Sequence, residues 1–259
     1  MKFTLAAAVA LLAAAAAFAG TTYDFHNDTS DMLGNQQPAI EGTVAVDGPN
    51  MKMTITRGNQ MLFKSGWIVL SRDGGKTIAV YDPAEKTVFE MRSDEMVSRL
   101  TDALHSSGMT LTAGKPSVTS KDAGDGGVLE GFPTKKSLLD ASINLAMVMN
   151  DQSVSWKMSL HNESWTTDKL DATTLDIFQR PGLTGVEGLD KVIAAQTAGL
   201  KGRFPLKTVT TIRVSLGGSD FAAMTTTSTV TNVKQRALDA STFAVPAGYR
   251  RIDNPLTTR

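Results

Sequence analysis

Short stretches of alternating apolar and polar residues fill the chain from Ile40 to Met91, each stopped by turn residues. Gly42–Val46 runs into Asp47-Gly48-Pro49-Asn50, and Met51–Ile55 alternates up to Arg57-Gly58-Asn59. Trp67–Leu70 stops at Asp73-Gly74-Gly75, Thr77–Tyr81 stops at Asp82-Pro83, and Thr87–Met91 closes the series. Strand-length runs broken by such turns predict an antiparallel meander. The period changes at Ser93-Asp94-Glu95. A capping serine and two acids there precede Met96, Val97, Leu100, Ala103 and Leu104, which predicts an amphipathic helix over Ser93–Ser107.

The longest alternation follows. Every odd position from Leu139 to Met149 is apolar, while Asp140, Ser142 and Asn144 between them are polar. After Asn150-Asp151-Gln152 the phase resumes with Val154, Trp156, Met158 and Leu160, separated by Ser155, Lys157, Ser159 and His161. Two period-2 runs around a short polar turn predict a hairpin with one apolar and one polar face. From Asp168 to Gly202 the pattern is helical, with a turn or two over Thr174–Arg180. A second amphipathic helix is marked by Val186, Leu189, Ile193, Gln196 and Leu200. Leu206–Leu216 and the Thr-rich Ala222–Val233 return to strands. The pattern as a whole predicts an α+β fold, mainly antiparallel β, of about ten strands with two or three helices between them.

The first twenty residues lie outside this pattern. Lys2, an Ala- and Leu-rich apolar run and Ala17-Phe18-Ala19 have the layout of a secretory signal peptide, expected to span residues 1–19. Residues 20–259 then form one domain. The chain has no cysteine, so a disulfide framework, a cysteine-ligated metal and the acylated cysteine of a bacterial lipoprotein are all excluded. No later stretch reaches the ~20 apolar residues of a membrane span, and the expected address is periplasmic or secreted. Balanced charge, 26 basic against 26 acidic residues, argues against nucleic acid as a partner.

Motifs for chemistry are missing. His26, His105 and His161 stand apart, with no His-Glu-x-x-His and no Gly-x-Ser-x-Gly. Gly74-Gly75-Lys76-Thr77 looks like the end of a phosphate loop, but the required earlier glycine falls on Leu70, so a hairpin turn is expected. Asp122-Ala123-Gly124-Asp125-Gly126-Gly127 is reminiscent of a calcium loop. Gly124 and Gly126, however, stand where oxygen ligands belong, which leaves a flexible turn. The expectation is therefore a protein that is not an enzyme, with no catalytic residue, no metal and no cofactor.

The apolar stripe carries the functional reading. Ile143, Leu145, Met147 and Met149 on one strand face the same way as Val154, Trp156, Met158 and Leu160 on the next. Two readings stand: core packed under a helix, or a surface for a hydrophobic ligand, to which methionine and tryptophan are suited.

The order of elements resembles a known family. The carrying residues are Gly42–Gly48, Met51-Lys52-Met53, Tyr81-Asp82-Pro83, Lys86–Met91, Gly131–Lys136, Glu163–Asp168, Leu238-Asp239 and Phe243–Tyr249. Together they resemble the exported bacterial domain family of unknown function grouped with the LolA, LppX and RseB type lipoprotein-localisation fold, over roughly Thr22 to Arg251. The resemblance implies an open antiparallel half-barrel closed by helices, with an apolar concave face that accepts acyl chains in relatives, and no catalytic residue. The expected function is an exported soluble binding protein for lipid, acyl chains or a lipidated envelope protein. The alternative is an envelope sensor or protein-interaction domain on the same fold.

Overall fold

Tight turns between long strands set the architecture. The computed structural model describes residues 20–60, 63–93, 109–149, 152–170, 184–200 and 202–255. The first six strands of the main sheet are β1 (Gly20–Thr29), β2 (Ile40–Asp47), β3 (Asn50–Arg57), β6 (Ile68–Ser71), β7 (Thr77–Asp82) and β8 (Thr87–Arg92). A small ribbon of β4 (Asn59–Gln60) and β5 (Phe63–Lys64) interrupts them. The second half carries β9 (Met109–Ala113), β10 (Ser117–Leu129), β11 (Phe132–Met149), β12 (Gln152–Thr167), β13 (Phe204–Leu216) and β14 (Ser219–Arg236). One helix, α1 (Glu187–Leu200), precedes β13. A 3-10 turn at Ala240–Phe243 and the two-residue β15 (Arg250–Arg251) follow β14.

These strands form one open sheet of thirteen, in the order β10-β11-β12-β13-β14-β1-β2-β3-β6-β7-β8-β15, with β9 beside β11. All neighbours are antiparallel except β15, which runs parallel to β8. The two halves of the chain meet where β1 pairs with β14, Gly20 opposite Arg236 and Thr29 opposite Thr226. Within the second half, β13 turns into β14 through Gly217-Gly218, both at positive φ (60° and 88°). This is the two-residue hairpin geometry that glycine adopts without strain.

The register defines two faces, because directly opposed residues point the same way. The inner face carries the main core. It includes Tyr23 and Phe25 of β1, Val44 and Val46 of β2, Met51, Met53 and Ile55 of β3, and Val80 and Phe89 further on. Phe204 and Leu206 of β13 close it from the other half, with the Tyr23 and Phe204 rings edge to face at 5.3 Å. On the outer face the C-terminal segment crosses β6 to β8, where Phe243, Leu238 and Tyr249 pack on Leu70, Tyr81 and Val88.

The antiparallel meander, the hairpin and the helix at Val186–Leu200 stand as the sequence predicts, and Gly74-Gly75 is a hairpin turn. The sheet is larger than expected. Strand β1 was not marked by alternation. The segment Asp122–Gly127, expected as a flexible turn, lies inside β10, with Asp122, Gly124, Asp125 and Gly127 paired to β11. Its Asp-x-Gly repeat makes two bulges, in which Asp122 Oδ1 accepts from Gly124 N and Asp125 Oδ1 from Gly127 N, each at 2.8 Å. Among the described residues there is one α-helix. The leader over 1–19 and the helices expected at Ser93–Ser107 and Thr174–Arg180 fall outside the described residues, apart from Ser93.

Candidate functional site

Hairpin β11–β12 places the predicted stripe on the inner face in matched pairs. Ala141 stands opposite Leu160, Ile143 opposite Met158, Leu145 opposite Trp156, and Met147 opposite Val154, while Met149 stands opposite Gln152. The pairing continues sideways. Leu111 of β9 faces Met147, Val214 of β13 faces Met158, and Ile212 faces Leu160 on one side and Met224 of β14 on the other. Leu111, Ile212, Val214 and Met224 therefore extend the apolar surface, although the sequence reading did not single them out. Alternation over β13 is broken by Thr208 and Thr210, which hides that strand's apolar end.

Burial along the stripe is graded. Ile143 (2% exposed), Leu145 (6%) and Leu160 (8%) are buried, Met147, Trp156 and Met158 are half-buried, and Val154 is 56% exposed. Helix α1 covers the deep end, where Val192 and Ala195 pack on Leu139, Ala141, Leu160 and Ile212. Its approach is close. A Cβ on Gly188 would stand 2.6 Å from both the Gly114 carbonyl oxygen and Ile143 Cδ1. The shallow end, toward the β11–β12 turn, is open.

A polar belt separates this surface from the main core. Across the inner face run Asn162, Thr210, Thr226 and Thr29 in one row, and Ser164, Thr208, Ser228 and Asn27 in the next. Asn162 and Ser164 are buried, and their polar atoms are satisfied locally. Asn162 Nδ2 donates to Thr210 Oγ1, and Ser164 Oγ donates to Asn162 Oδ1, both at 2.7 Å.

The outer face holds the titratable groups. Asp140 Oδ1 lies 2.7 Å from His161 Nδ1, and Glu163 Oε1 lies 3.5 Å from His161 Nε2. The hydrogen bond to Asp140 chiefly raises the His161 pKa above its ordinary value, against some loss of solvation, with Glu163 adding to it. Glu163 is held below the usual carboxylate range, first by its hydrogen bond to Lys136, whose Nζ is 3.1 Å away. Lys136 and Lys207 also sit over the Trp165 ring, 4.5 and 5.0 Å from its centre. His26 has a similar setting, with Glu41 and Asp28 each 2.8 Å from one of its ring nitrogens. His105 lies outside the described residues. No group of three or more His, Asp or Glu side chains among the described residues is arranged to hold a metal.

Open grooves accompany these features among the described residues. One of about 460 Å³ lies on the outer face across β10 to β13. One of about 540 Å³ lies near Asp122, Lys135 and Arg203. Another, about 740 Å³, lies on the outer face of β6 to β8 beside Val245, Tyr249 and Arg251.

No protein-family profile and no curated protein matches the chain. Solved structures do. PNGF-II is 14% identical over 90% of this chain with a TM-score of 0.34, and the chain spans 31% of that protein's length. A domain from Vibrio parahaemolyticus described as an outer membrane lipoprotein-sorting protein is 8% identical, with a TM-score of 0.33 and coverage of 87% of this chain and 89% of that one. A DUF1329 family protein from Desulfovibrio piger is 11% identical, with a TM-score of 0.29 and coverage of 88% and 91%. No helix among the described residues is long and apolar enough to cross a membrane.

Proposed function

We propose that the protein is a binding protein of the cell envelope that takes a lipid acyl chain, free or on a lipidated partner, along the inner face of hairpin β11–β12. The observation that carries this reading is the graded stripe. One registered row of apolar side chains passes from a helix-covered base to the exposed Val154 without a polar residue on that face. An alkyl chain laid along it gains about 0.8 kcal/mol for each CH₂ removed from water. Unbranched Met147 and Met158 can re-pack around chains of different shape.

The proposal is one of binding and not of catalysis, with His26 and His161 each held between two carboxylates among the described residues. The envelope address rests on the signal-like residues 1–19.

Trp156 provides the test. A bromine-labelled fatty acid is expected to quench its fluorescence, and the Trp156→Phe variant should lose that component while Trp67 and Trp165 keep theirs. Native mass spectrometry should show the fatty acid bound to the protein. Absence of both bound mass and quenching would overturn the proposal.

A second reading, a protein-interaction domain, draws on Leu33 (83% exposed) and Phe221 (61%). Leu33 bridges to Ala223, which places both side chains beside the β13–β14 turn. If that surface is the functional one, Phe221→Ser should release a crosslinked envelope protein while fatty-acid binding is unchanged.

A further inference from the structure

The groove across β10 to β13 lies on the opposite face from the apolar stripe, and the proposed acyl-chain binding makes no use of it. The register sets its floor in two rows. Thr119, Asp140, His161 and Thr211 stand side by side in one row, and Ser117, Ser142, Ser159 and Arg213 in the next. All eight side chains belong to the outer face, and all eight residues line the same groove of about 460 Å³. Four strands and two rows give a footprint of about 15 Å by about 7 Å, the size of one or two sugar rings.

The chemistry of the floor is uneven in an informative way. Five of the eight residues carry hydroxyls, which can both donate and accept. Asp140 is oriented by His161 through Oδ1, which leaves Oδ2 as an acceptor at the centre of the floor. Arg213 is exposed and stands at the rim between Ser159 and Ala223, with no carboxylate in its row. Nearby Asp220 is taken by Ser215, whose Oγ donates to its Oδ1 at 2.5 Å. A planar five-donor cation beside a bed of hydroxyls and one free carboxylate oxygen calls for a ligand with an oxyanion at one end and hydroxyls along the rest.

We propose that this groove binds a small anionic polyol, a sugar bearing one carboxylate or phosphate. Arg213 takes the anion, while Asp140 and the hydroxyls of Thr119, Ser142, Ser159 and Thr211 take the ligand's hydroxyls. Because the two sites lie on opposite faces, failure at one leaves the other untouched.

The full-length protein can be titrated with glucose 6-phosphate, glucuronate, glucose and inorganic phosphate, each followed by backbone amide shifts and calorimetry. The expected result is saturable binding of the first two below about 10 mM. Shifts should be confined to residues 117–119, 140–142, 159–161 and 211–213. Arg213→Ala should weaken both ligands about tenfold or more, and Arg213→Lys should weaken them less. Lys157→Ala, which removes an exposed cation one row outside the groove, should change little. Ser142→Ala should weaken binding with the melting temperature unchanged. Glucose binding as tightly as its phosphate would overturn the anion subsite, and inorganic phosphate matching glucose 6-phosphate would overturn the polyol subsite. No confined shifts with any of the four would overturn the site itself.

Discussion

His161 stands between two carboxylates on an exposed sheet face, and that position sets its titration. Its midpoint should lie above the ordinary imidazole value near 6.5, because the protonated ring is favoured first by Asp140 and then by Glu163. Nitrogen-detected NMR of the imidazoles should show this, and Asp140→Asn should bring the midpoint back down. A raised folded value means that this interaction stabilises the fold fully below the unfolded imidazole value and is lost as pH rises through the folded one. The pair is substantially solvent-exposed, so the change in denaturation midpoint across that window should be small. Buried Asn162 is the contrasting residue. It donates to Thr210 and accepts from Ser164, so Asn162→Ala leaves Ser164 Oγ without its acceptor and should cost about 1–3 kcal/mol in chemical denaturation. Neither role could be read from the sequence. The alternation in β12 passes from Leu160 to Asn162, Ser164 and Thr166, so a polarity pattern ends the buried face where the structure continues it with hydrogen-bonded groups.

The elements show which local signals were sufficient. Hairpin β11–β12 was legible down to the facing of each side chain, because a strict period of 2 over seven residues of β11 (Leu139–Leu145) and nine of β12 (Ser153–His161) fits no helix. Its register then separates packing from binding. Ile143→Asp places a charge at a 2% exposed position under α1 and should cost about 3–5 kcal/mol, or prevent folding. Val154→Asp lies on the same face at the open end, and its stability should stay within about 0.5 kcal/mol of the parent. The same substitution should weaken fatty-acid binding, and urea denaturation paired with quenching separates the two effects. Strand β10 was misread for a physical reason. Asp-x-Gly is both a turn signal and a bulge signal, and only the neighbouring β11 decides between them. The outcome suits its place, since β10 is an edge strand exposed along nearly all of its length, and bulges twist such an edge away from foreign strands.

At the scale of the whole molecule, each half follows from adjacency, because sequential strands pair with their neighbours. The joining of halves does not. β1 and β14 lie about two hundred residues apart, and nothing local in either sequence names the other. The far edge shows how little backbone can protect a sheet. β15 contributes two residues, with Arg250 N donating to the Lys86 carbonyl and Ile252 N to the Val88 carbonyl, each at 2.9 Å, and Arg251 reaching Glu90. Removing residues 250–259 uncovers the β8 edge and should give concentration-dependent association, seen in light scattering, with little loss of far-UV strand signal.

The seam between β1 and β14 also bears on how the molecule is made. Synthesis delivers β1 early and β14 nearly last, so the meander β1 to β8 waits with the β1 edge bare and without Phe204 and Leu206 in its core. Pairing that distant in the chain is slow, on the order of milliseconds to seconds. In the exported chain proposed above, the two strands can pair only once β14 has followed β1 across the membrane. Fold completion is therefore timed by delivery of the last long strand, and the interval before β14 arrives is when the partial sheet is most exposed to proteases and chaperones.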